Sequence, residues 1–158
     1  MNTPPAPPPQ QLPIEAQWCL QATSLQPAAS RGPCIELEVA RTPQQQSWGL
    51  MGRPPLAPLR GMWFPYDRPQ VLKFWMHRTP SPLDMLFIRD GRVIAIEAAA
   101  TPCPRLPCRS YGPDEPADGV VELAAGEANR LGLRVGSTAV IRPFTPQPAA
   151  QPAAPAQD

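Results

Sequence analysis

Proline is the residue that most restricts how this chain can fold. The chain has 158 residues and 26 prolines, a share several times the usual one. Residues 1–33 hold eight prolines and residues 143–158 hold five, and both segments carry few charges. Such segments bury too little apolar surface to offset the entropy of ordering. We therefore expect both ends to be largely disordered, with a short strand at residues 14–20 as the one candidate element.

The central segment, residues 34–142, has the length of a single ordinary domain. Its 13 prolines argue against long helices, because each proline removes a backbone donor and blocks a helix interior. Residues 34–40 alternate, with Ile35, Leu37 and Val39 on one face and two glutamates on the other, which predicts a half-buried strand. We predict a mainly β fold: one β-sandwich of jelly-roll type or one open barrel, with two short helices and disordered proline-rich termini.

Turn and cap signals place the remaining elements. Thr42, Pro43 and Gln45 form a capping box that predicts a short helix, and a second is expected at 126–131. Asp90-Gly91 between two apolar runs predicts a tight hairpin. Residues 101–118, with five prolines, predict a long loop. Further strands are expected at 61–64 (ended by Pro65), 71–76, 84–89, 92–98, 119–124 and 138–142.

Charge and hydropathy exclude several classes of protein. Residues 34–142 carry 13 basic and 11 acidic side chains, scattered rather than clustered, so we expect no nucleic-acid partner. No stretch of 18 uninterrupted apolar residues exists, so we expect no transmembrane helix. The first residues show no signal peptide. The sequence as written predicts a cytoplasmic location. If translation instead begins at an upstream start codon, an exported, periplasmic location is expected.

Four cysteines form two pairs that are close in the sequence, Cys19 with Cys34 and Cys103 with Cys108. An even number suits an exported domain with disulfides. For the second pair the alternatives are a disulfide, two inert thiols, or metal or redox chemistry. Zinc-type spacing is absent and His77 is the sole histidine, so we predict no metal site and no cofactor.

The order of motifs resembles the domain of unknown function 192 family across about residues 35–142. The motifs are Arg41-Thr42, 49–53 (GLMGR), 61–64 (GMWF), 74–79 (FWMHRT), 82–88 (PLDMLFI), Pro102-Cys103, Cys108, 111–113 (YGP), 121–123 (VEL), Ala125-Gly126, Gly132 and Gly136. This resemblance implies a small β-rich domain of jelly-roll type, often exported or membrane-anchored. It implies no established biochemical activity.

Methionine and tryptophan are concentrated between residues 48 and 85. Thioether and imidazole groups are ligands that Cu(I) prefers, so one hypothesis is copper handling through His77 and Met51, Met62, Met76 and Met85. The alternative is that these methionines fill gaps in the core. The same region favours an amphipathic ligand groove. Its candidate ligand-binding residues are Arg53, Trp63, Trp75, His77, Arg78, Thr79, Asp84 and Tyr111.

Catalysis is the competing hypothesis for this groove. Asp84, with His77 or Arg78, would supply a carboxylate and an imidazole for acid–base work, whereas a structural Asp84 would tie the turn at 77–83 to its strand. No serine nucleophile motif or phosphate-binding loop is present, so we assign no catalytic residue. The leading prediction is a non-catalytic accessory domain that binds a small molecule or carbohydrate, with an unidentified small molecule or protein as partner and an undetermined oligomeric state.

Overall fold

The structure is a computed structural model that describes residues 5–21 and 32–148. Its described residues form nine strands and two short helices, so the mainly β class and the two helices are confirmed. In chain order the elements are β1 (Ile14–Cys19), β2 (Cys34–Val39), α1 (Pro43–Trp48), β3 (Arg60–Gln70), β4 (Phe74–Trp75), β5 (Leu83–Arg89), β6 (Arg92–Ala100), β7 (Ser110–Tyr111), β8 (Ala117–Ala124), α2 (Glu127–Arg130) and β9 (Ile141–Pro143).

Seven strands form one sheet in the order β6-β5-β8-β3-β2-β1-β9, and β4 pairs with β7 in a second, two-stranded sheet. All pairs are antiparallel except β2 with β3. The segment that precedes β9 reaches the opposite edge of the large sheet, where Thr138 bridges to Arg92 at the start of β6. The sheet stays open, because β9 pairs with β1 alone and is not paired along its length with β6.

Two buried clusters cover the two faces of the large sheet. Side chains alternate along a strand, so in β8 Val120 and Glu122 point to one face and Val121 and Leu123 to the other. The first face, here the cleft face, lies beneath α1 and the β4–β7 pair and includes Met62, Phe64, Met85, Phe87 and Val120. The opposite, closed face includes Trp18, Ile35, Leu37, Leu86, Val121 and Leu123.

Local signals were reliable where they depend on neighbouring residues. The capping box of α1 is confirmed, with Gln45 N donating to Thr42 Oγ1 at 3.1 Å. The Asp90-Gly91 hairpin is confirmed, and both residues have positive φ, 49° and 73°, as a type I′ turn requires. These two features fix the start of α1 and the register of β5 against β6.

The predicted end of a strand at Pro65 is wrong, because β3 continues to Gln70. Pro65 pairs with Gly119 of β8, while the pairing with β2 on the other side has ended at Trp63. Pro65 therefore sits at an open strand edge, where the missing N–H costs no ladder bond. Its carbonyl accepts from Gln46 Nε2 at 2.9 Å.

Two further expectations differ in extent. The strand expected at 71–76 is reduced to Phe74–Trp75, and the loop expected at 101–118 contains β7 and the start of β8. β4 and β7 pair with each other over a long sequence distance, and the start of β8 pairs with the end of β3 at Gln70. The pattern within either segment does not reveal these pairings.

Parts of the terminal segments contact the domain. β1 occupies the place of the candidate strand at 14–20 and lies between β2 and β9. Before it, Gln10 Nε2 donates to the carbonyls of Gln45 and Gly49, each at 2.9 Å. After β9, Phe144 N donates to Glu15 O at 2.9 Å. Residues 1–4, 22–31 and 149–158 lie outside the described residues, and the domain limits stay a prediction.

Both cysteine pairs are disulfide-bonded. Cys19 and Cys34 are directly opposite each other on β1 and β2, and Cys103 and Cys108 have Cα atoms 5.9 Å apart, within the range a disulfide spans. The described residues contain no helix long and apolar enough to cross a membrane.

Candidate functional site

A cleft of about 560 Å³ opens on the cleft face of the large sheet. We call it the main cleft. The end of α1 and the turn after it form one wall, β4 and residues 77–79 form another, and β3 and β8 form the floor. Its lining residues are Pro43, Gln46, Ser47, Trp48, Gly49, Leu50, Met51, Phe64, Tyr66, Lys73, Phe74, Trp75, His77, Thr79, Ser110 and Glu122.

Aromatic side chains shape the β4 wall of the main cleft. The Trp75 side chain is 46% exposed, and its ring lies 4.9 Å from the His77 ring at a tilt of 56°. The neighbouring Phe74 is fixed edge-on between Phe64 and Phe87, at 5.0 and 6.2 Å between ring centroids. Alternate residues of a strand point to opposite sides. The packing of Phe74 into the core therefore keeps the Trp75 ring exposed to solvent.

Glu122 lies at the floor of the main cleft and is 4% exposed. Its neighbours across the sheet are Met62 on β3 and Met85 on β5, both fully buried. Burial among these apolar side chains raises the pKa of Glu122 to about 8, since desolvation penalises the charged form. The carboxyl group is therefore mostly uncharged at neutral pH.

The turn after α1 comes close to this carboxyl group. A Cβ placed on Gly49, whose φ is 46°, would lie 3.4 Å from the Phe64 ring and 3.8 Å from Glu122 Oε1. Tyr66 stands on the same face of β3, and its pKa is raised by burial and by the negative charge of Glu122. A weakly acidic carboxyl group and a phenol therefore share the floor.

The remaining polar groups of the main cleft lie nearer its rim. Lys73 Nζ donates to Gly112 O at 2.6 Å and to Asp114 Oδ1 at 3.0 Å. Thr79 is buried, and its hydroxyl donates to His77 O at 3.3 Å. The cleft thus combines an aromatic wall with hydroxyl, amide and uncharged carboxyl groups, a composition typical of small-molecule sites.

Asp84, a sequence candidate, lies on the closed face and does not line the main cleft. It is 1% exposed. Its Oδ1 accepts from Ala99 N at 2.9 Å, and its Oδ2 accepts from Gly126 N and Ala128 N, each at 3.0 Å. These donors tie β5 to β6 and cap the start of α2, whose own N-cap residue, Gly126, has no side chain to do so. Asp84 has the contacts of a structural carboxylate.

Arg53 and Trp63 also lie away from the main cleft. Arg53 Nη1 donates to Glu38 Oε1 at 2.7 Å and to Gln10 O at 3.3 Å, which ties the segment before β1 to β2. Trp63 packs on the closed face, and a Cβ on Gly119 would lie 2.0 Å from its ring. The glycine is therefore required for this packing.

The side chains of Arg78 and Tyr111 do not line the main cleft. Arg78 has a positive φ of 56°, its N–H donates to Cys103 O at 3.2 Å, and its carbonyl accepts from Gly52 N at 2.8 Å. The Tyr111 hydroxyl accepts from Thr101 N at 3.1 Å. With Arg109, whose guanidinium lies 4.7 Å from the ring, Tyr111 lines a second pocket of about 370 Å³ beside the Cys103–Cys108 disulfide.

The structure thus brings three of the eight sequence candidates into the main cleft, namely Trp75, His77 and Thr79. The geometry gives the copper hypothesis little support, because Met62, Met76 and Met85 are fully buried in the core. Within residues 5–21 and 32–148, no group of three or more histidine, cysteine, aspartate or glutamate side chains could hold a metal ion.

Sequence reasoning missed Glu122 and Tyr66. The signal for Glu122 was a single acidic residue within the apolar run Val120–Leu123. A charged residue rarely lies fully buried in a central strand without a partner or a function. Tyr66 gave no signal, because it lies beyond the proline at which the strand was expected to end.

One comparison with known proteins identifies a family. The model of the DUF192 family, described as Uncharacterized ACR, COG1430, matches residues 26–141. A search of curated proteins gives no significant match.

Two solved structures are similar. A protein of unknown function from Novosphingobium aromaticivorans DSM 12444 is 32% identical, with a TM-score of 0.69, covering 89% of this chain and 93% of that one. A protein from Sinorhizobium meliloti 1021 described as a candidate transcription regulator is 31% identical, with a TM-score of 0.67, covering 85% of this chain and 98% of that one. The resemblance that the motifs indicated is confirmed, and the chain belongs to the domain of unknown function 192 family.

Proposed function

We propose that the protein is a non-catalytic binding module whose main cleft takes a small, uncharged, polyhydroxylated molecule such as a short saccharide. The observation that carries this proposal is an exposed aromatic surface, Trp75 beside His77, in the same cleft as the buried, uncharged carboxyl group of Glu122. Aromatic rings pack against the C–H faces of sugars, while hydroxyl and carboxyl groups bind sugar hydroxyls.

The size and charge of the main cleft favour this ligand class. Its volume of about 560 Å³ falls within the range of small-molecule sites and accommodates one or two sugar rings. The cation at its rim, Lys73, already binds Asp114 and a carbonyl oxygen. An anionic ligand would have to displace these contacts, whereas an uncharged ligand would leave them in place.

The competing functions draw less support. An enzyme built on Asp84 with His77 and Arg78 would need the carboxylate in the cleft, and Asp84 instead caps α2 on the closed face. The Sinorhizobium protein is described as a candidate transcription regulator, and a regulator that acts by binding nucleic acid needs a basic surface. The basic residues of 34–142 are scattered and nearly balanced by acidic ones, which does not favour binding to a polyanion.

The test is binding of four saccharides, measured by saturation-transfer NMR and calorimetry at pH 6.5. The four are methyl β-glucoside, cellobiose, maltose and N,N′-diacetylchitobiose. We expect at least one to bind, and Trp75→Ala to weaken that binding about tenfold, since a lost aromatic stack is worth about 1.4 kcal/mol. Val140→Ala is the matched control, because Val140 is 45% exposed and lies outside the cleft.

Binding that Trp75→Ala leaves unchanged would place the ligand elsewhere on the protein. The absence of binding by every member of the panel at millimolar concentration would reject the saccharide class.

A further inference from the structure

Four acidic residues are buried in the described part of the chain, and Glu122 differs from the other three. Asp84 accepts three backbone N–H groups. Glu38 and Glu127 each bind an arginine guanidinium and a backbone N–H. For Glu122, no residue within 5–21 or 32–148 donates a hydrogen bond to the carboxyl group. Among the described residues, the side-chain atom that is both fully buried and without a partner is Arg53 Nε, so the Glu122 oxygens are open to solvent. A carboxyl group placed among apolar side chains with only solvent as its partner still requires an explanation.

The position of Glu122 supplies that explanation. The side chain lines the main cleft, and its Oε1 faces the backbone of the turn after α1 at Gly49. The flanking Met62 and Met85 offer no hydrogen bond of comparable strength. The unpaired oxygens therefore face the cavity that a ligand would fill.

We propose that Glu122 recognises the ligand of the main cleft as an uncharged carboxylic acid, donating its proton in a hydrogen bond to an ether or carbonyl oxygen of an uncharged ligand. This inference rests on the proposed function. It adds the group that recognises the ligand and the pH above which the ligand is released. The ligand is held at neutral pH and released as the carboxyl group ionises, because a carboxylate cannot donate that hydrogen bond.

The surrounding groups keep this ionisation separate from others. On β3, Tyr66 shares the face, and its pKa is raised by burial and by Glu122, so the phenol ionises at higher pH than the carboxyl group. On β5, Asp84 points to the closed face. α1 and the turn after it contribute no charged group to the cleft. The remaining charged or titratable groups that face the cleft side are Lys73 and His77, Glu97 on β6 across Met85, and Glu38 on β2 across Met62, which is paired with Arg53.

The first measurement is the titration of the free protein. Carbon-13 NMR of glutamate side-chain carboxyl groups, with Glu122→Gln to assign the signal, should show one carboxyl group with a midpoint near pH 8. An ordinary acidic midpoint would overturn the inference and leave the proposed function standing.

The second measurement is binding of the same four saccharides at pH 6.5, 7 and 9. Wild-type affinity should be about tenfold lower at pH 9 than at pH 7, since each pH unit above the midpoint removes about nine-tenths of the protonated form. Glu122→Gln keeps an N–H donor that does not titrate, so its affinity at pH 6.5 should stay within a few-fold and should not fall at pH 9. His77→Gln should retain the loss at pH 9, which excludes the imidazole as its origin.

The outcomes are distinguishable. Wild-type binding that does not change between pH 7 and 9, or a loss at pH 9 that Glu122→Gln retains, would overturn the role of Glu122 alone. Binding of no saccharide at any pH would overturn the proposed function and this inference with it. A Glu122 titration midpoint near pH 8 would then affect only the stability of the free protein.

Discussion

Two buried carboxyl groups on opposite faces of the same sheet have opposite surroundings. Asp84 on β5 is surrounded by backbone N–H groups that converge from β6 and the start of α2. Glu122 on the adjacent β8 is surrounded by methionine side chains and by a cavity. Both are almost fully buried. Burial alone therefore does not mark a functional residue, and the hydrogen-bond partners distinguish the structural acid from the candidate binding group.

The largest expected effect is the pH dependence of stability that Glu122 creates. Its pKa is about 8 in the folded protein and 4.5 for the ordinary group. The unfolded chain therefore releases this proton at lower pH than the folded one. The contribution of Glu122 is fully present below pH 4.5 and decreases as the pH rises to about 8. The total loss is on the order of 4–5 kcal/mol.

Urea unfolding of wild type and Glu122→Gln at intervals between pH 4.5 and 9 measures this loss. The amide does not ionise, so the difference in unfolding free energy between the two proteins should grow in favour of the variant until about pH 8 and then stay constant. Asp67→Asn, on the exposed part of β3, is the control and should show no such growth. Parallel pH profiles for wild type and Glu122→Gln would mean that Glu122 has a partner that lowers its pKa.

The second expected effect is the cost of removing Asp84. Asp84→Ala leaves three backbone N–H groups without their acceptor, and we expect a loss of about 3 kcal/mol or more. Asp84→Asn keeps one acceptor oxygen and should fall between alanine and wild type. Chemical denaturation at pH 7 measures both. The same comparison tests the assignment of roles, because saccharide binding by the folded fraction of Asp84→Asn should be unchanged.

A cost of Asp84→Asn below about 0.5 kcal/mol, the range of ordinary surface substitutions, would contradict the structural role. A change in ligand affinity at unchanged stability would return Asp84 to the binding site.

The contrast between these two acids also shows which parts of the site the sequence could predict. The position of Asp84 at the start of an apolar strand predicts a buried carboxylate that needs a partner. Its actual donors are backbone groups 15 to 44 residues away. Backbone donors leave no trace in the sequence, so only the fold identifies the partners of Asp84.

The fold itself was more predictable where it depends on local rules. The capping box and the Asp-Gly turn use residues within a few positions, and both are confirmed. The main cleft depends on the β4–β7 pairing and on α1 lying over β3 and β8, which are contacts between distant segments. Trp75 and His77 were identifiable as members of an aromatic cluster, whereas the exposure of Trp75 and the burial of Glu122 follow from those distant contacts.

The smallest expected effect concerns Glu127, a third buried acid, which has the opposite pH behaviour to Glu122. Its pKa is lowered by hydrogen bonds from Arg130 and from Leu59 N. Its contribution to stability is therefore present above the ordinary value of 4.5 and decreases as the pH falls. Arg130→Leu should reduce this decrease, and the Tm at pH 7 should fall by a few degrees at most, because the arginine is half exposed.

The measurement is the difference in Tm between pH 7 and pH 3 for wild type, Arg130→Leu and Arg134→Leu. Arg134 is exposed on the same connection, and its side chain makes no ion pair with any residue in the described ranges, so its variant should behave as wild type. If Arg130→Leu also shows the wild-type difference, the Leu59 N–H alone holds the carboxylate. Backbone donors would then determine the pH dependence of Glu127, and backbone donors are also the partners of Asp84.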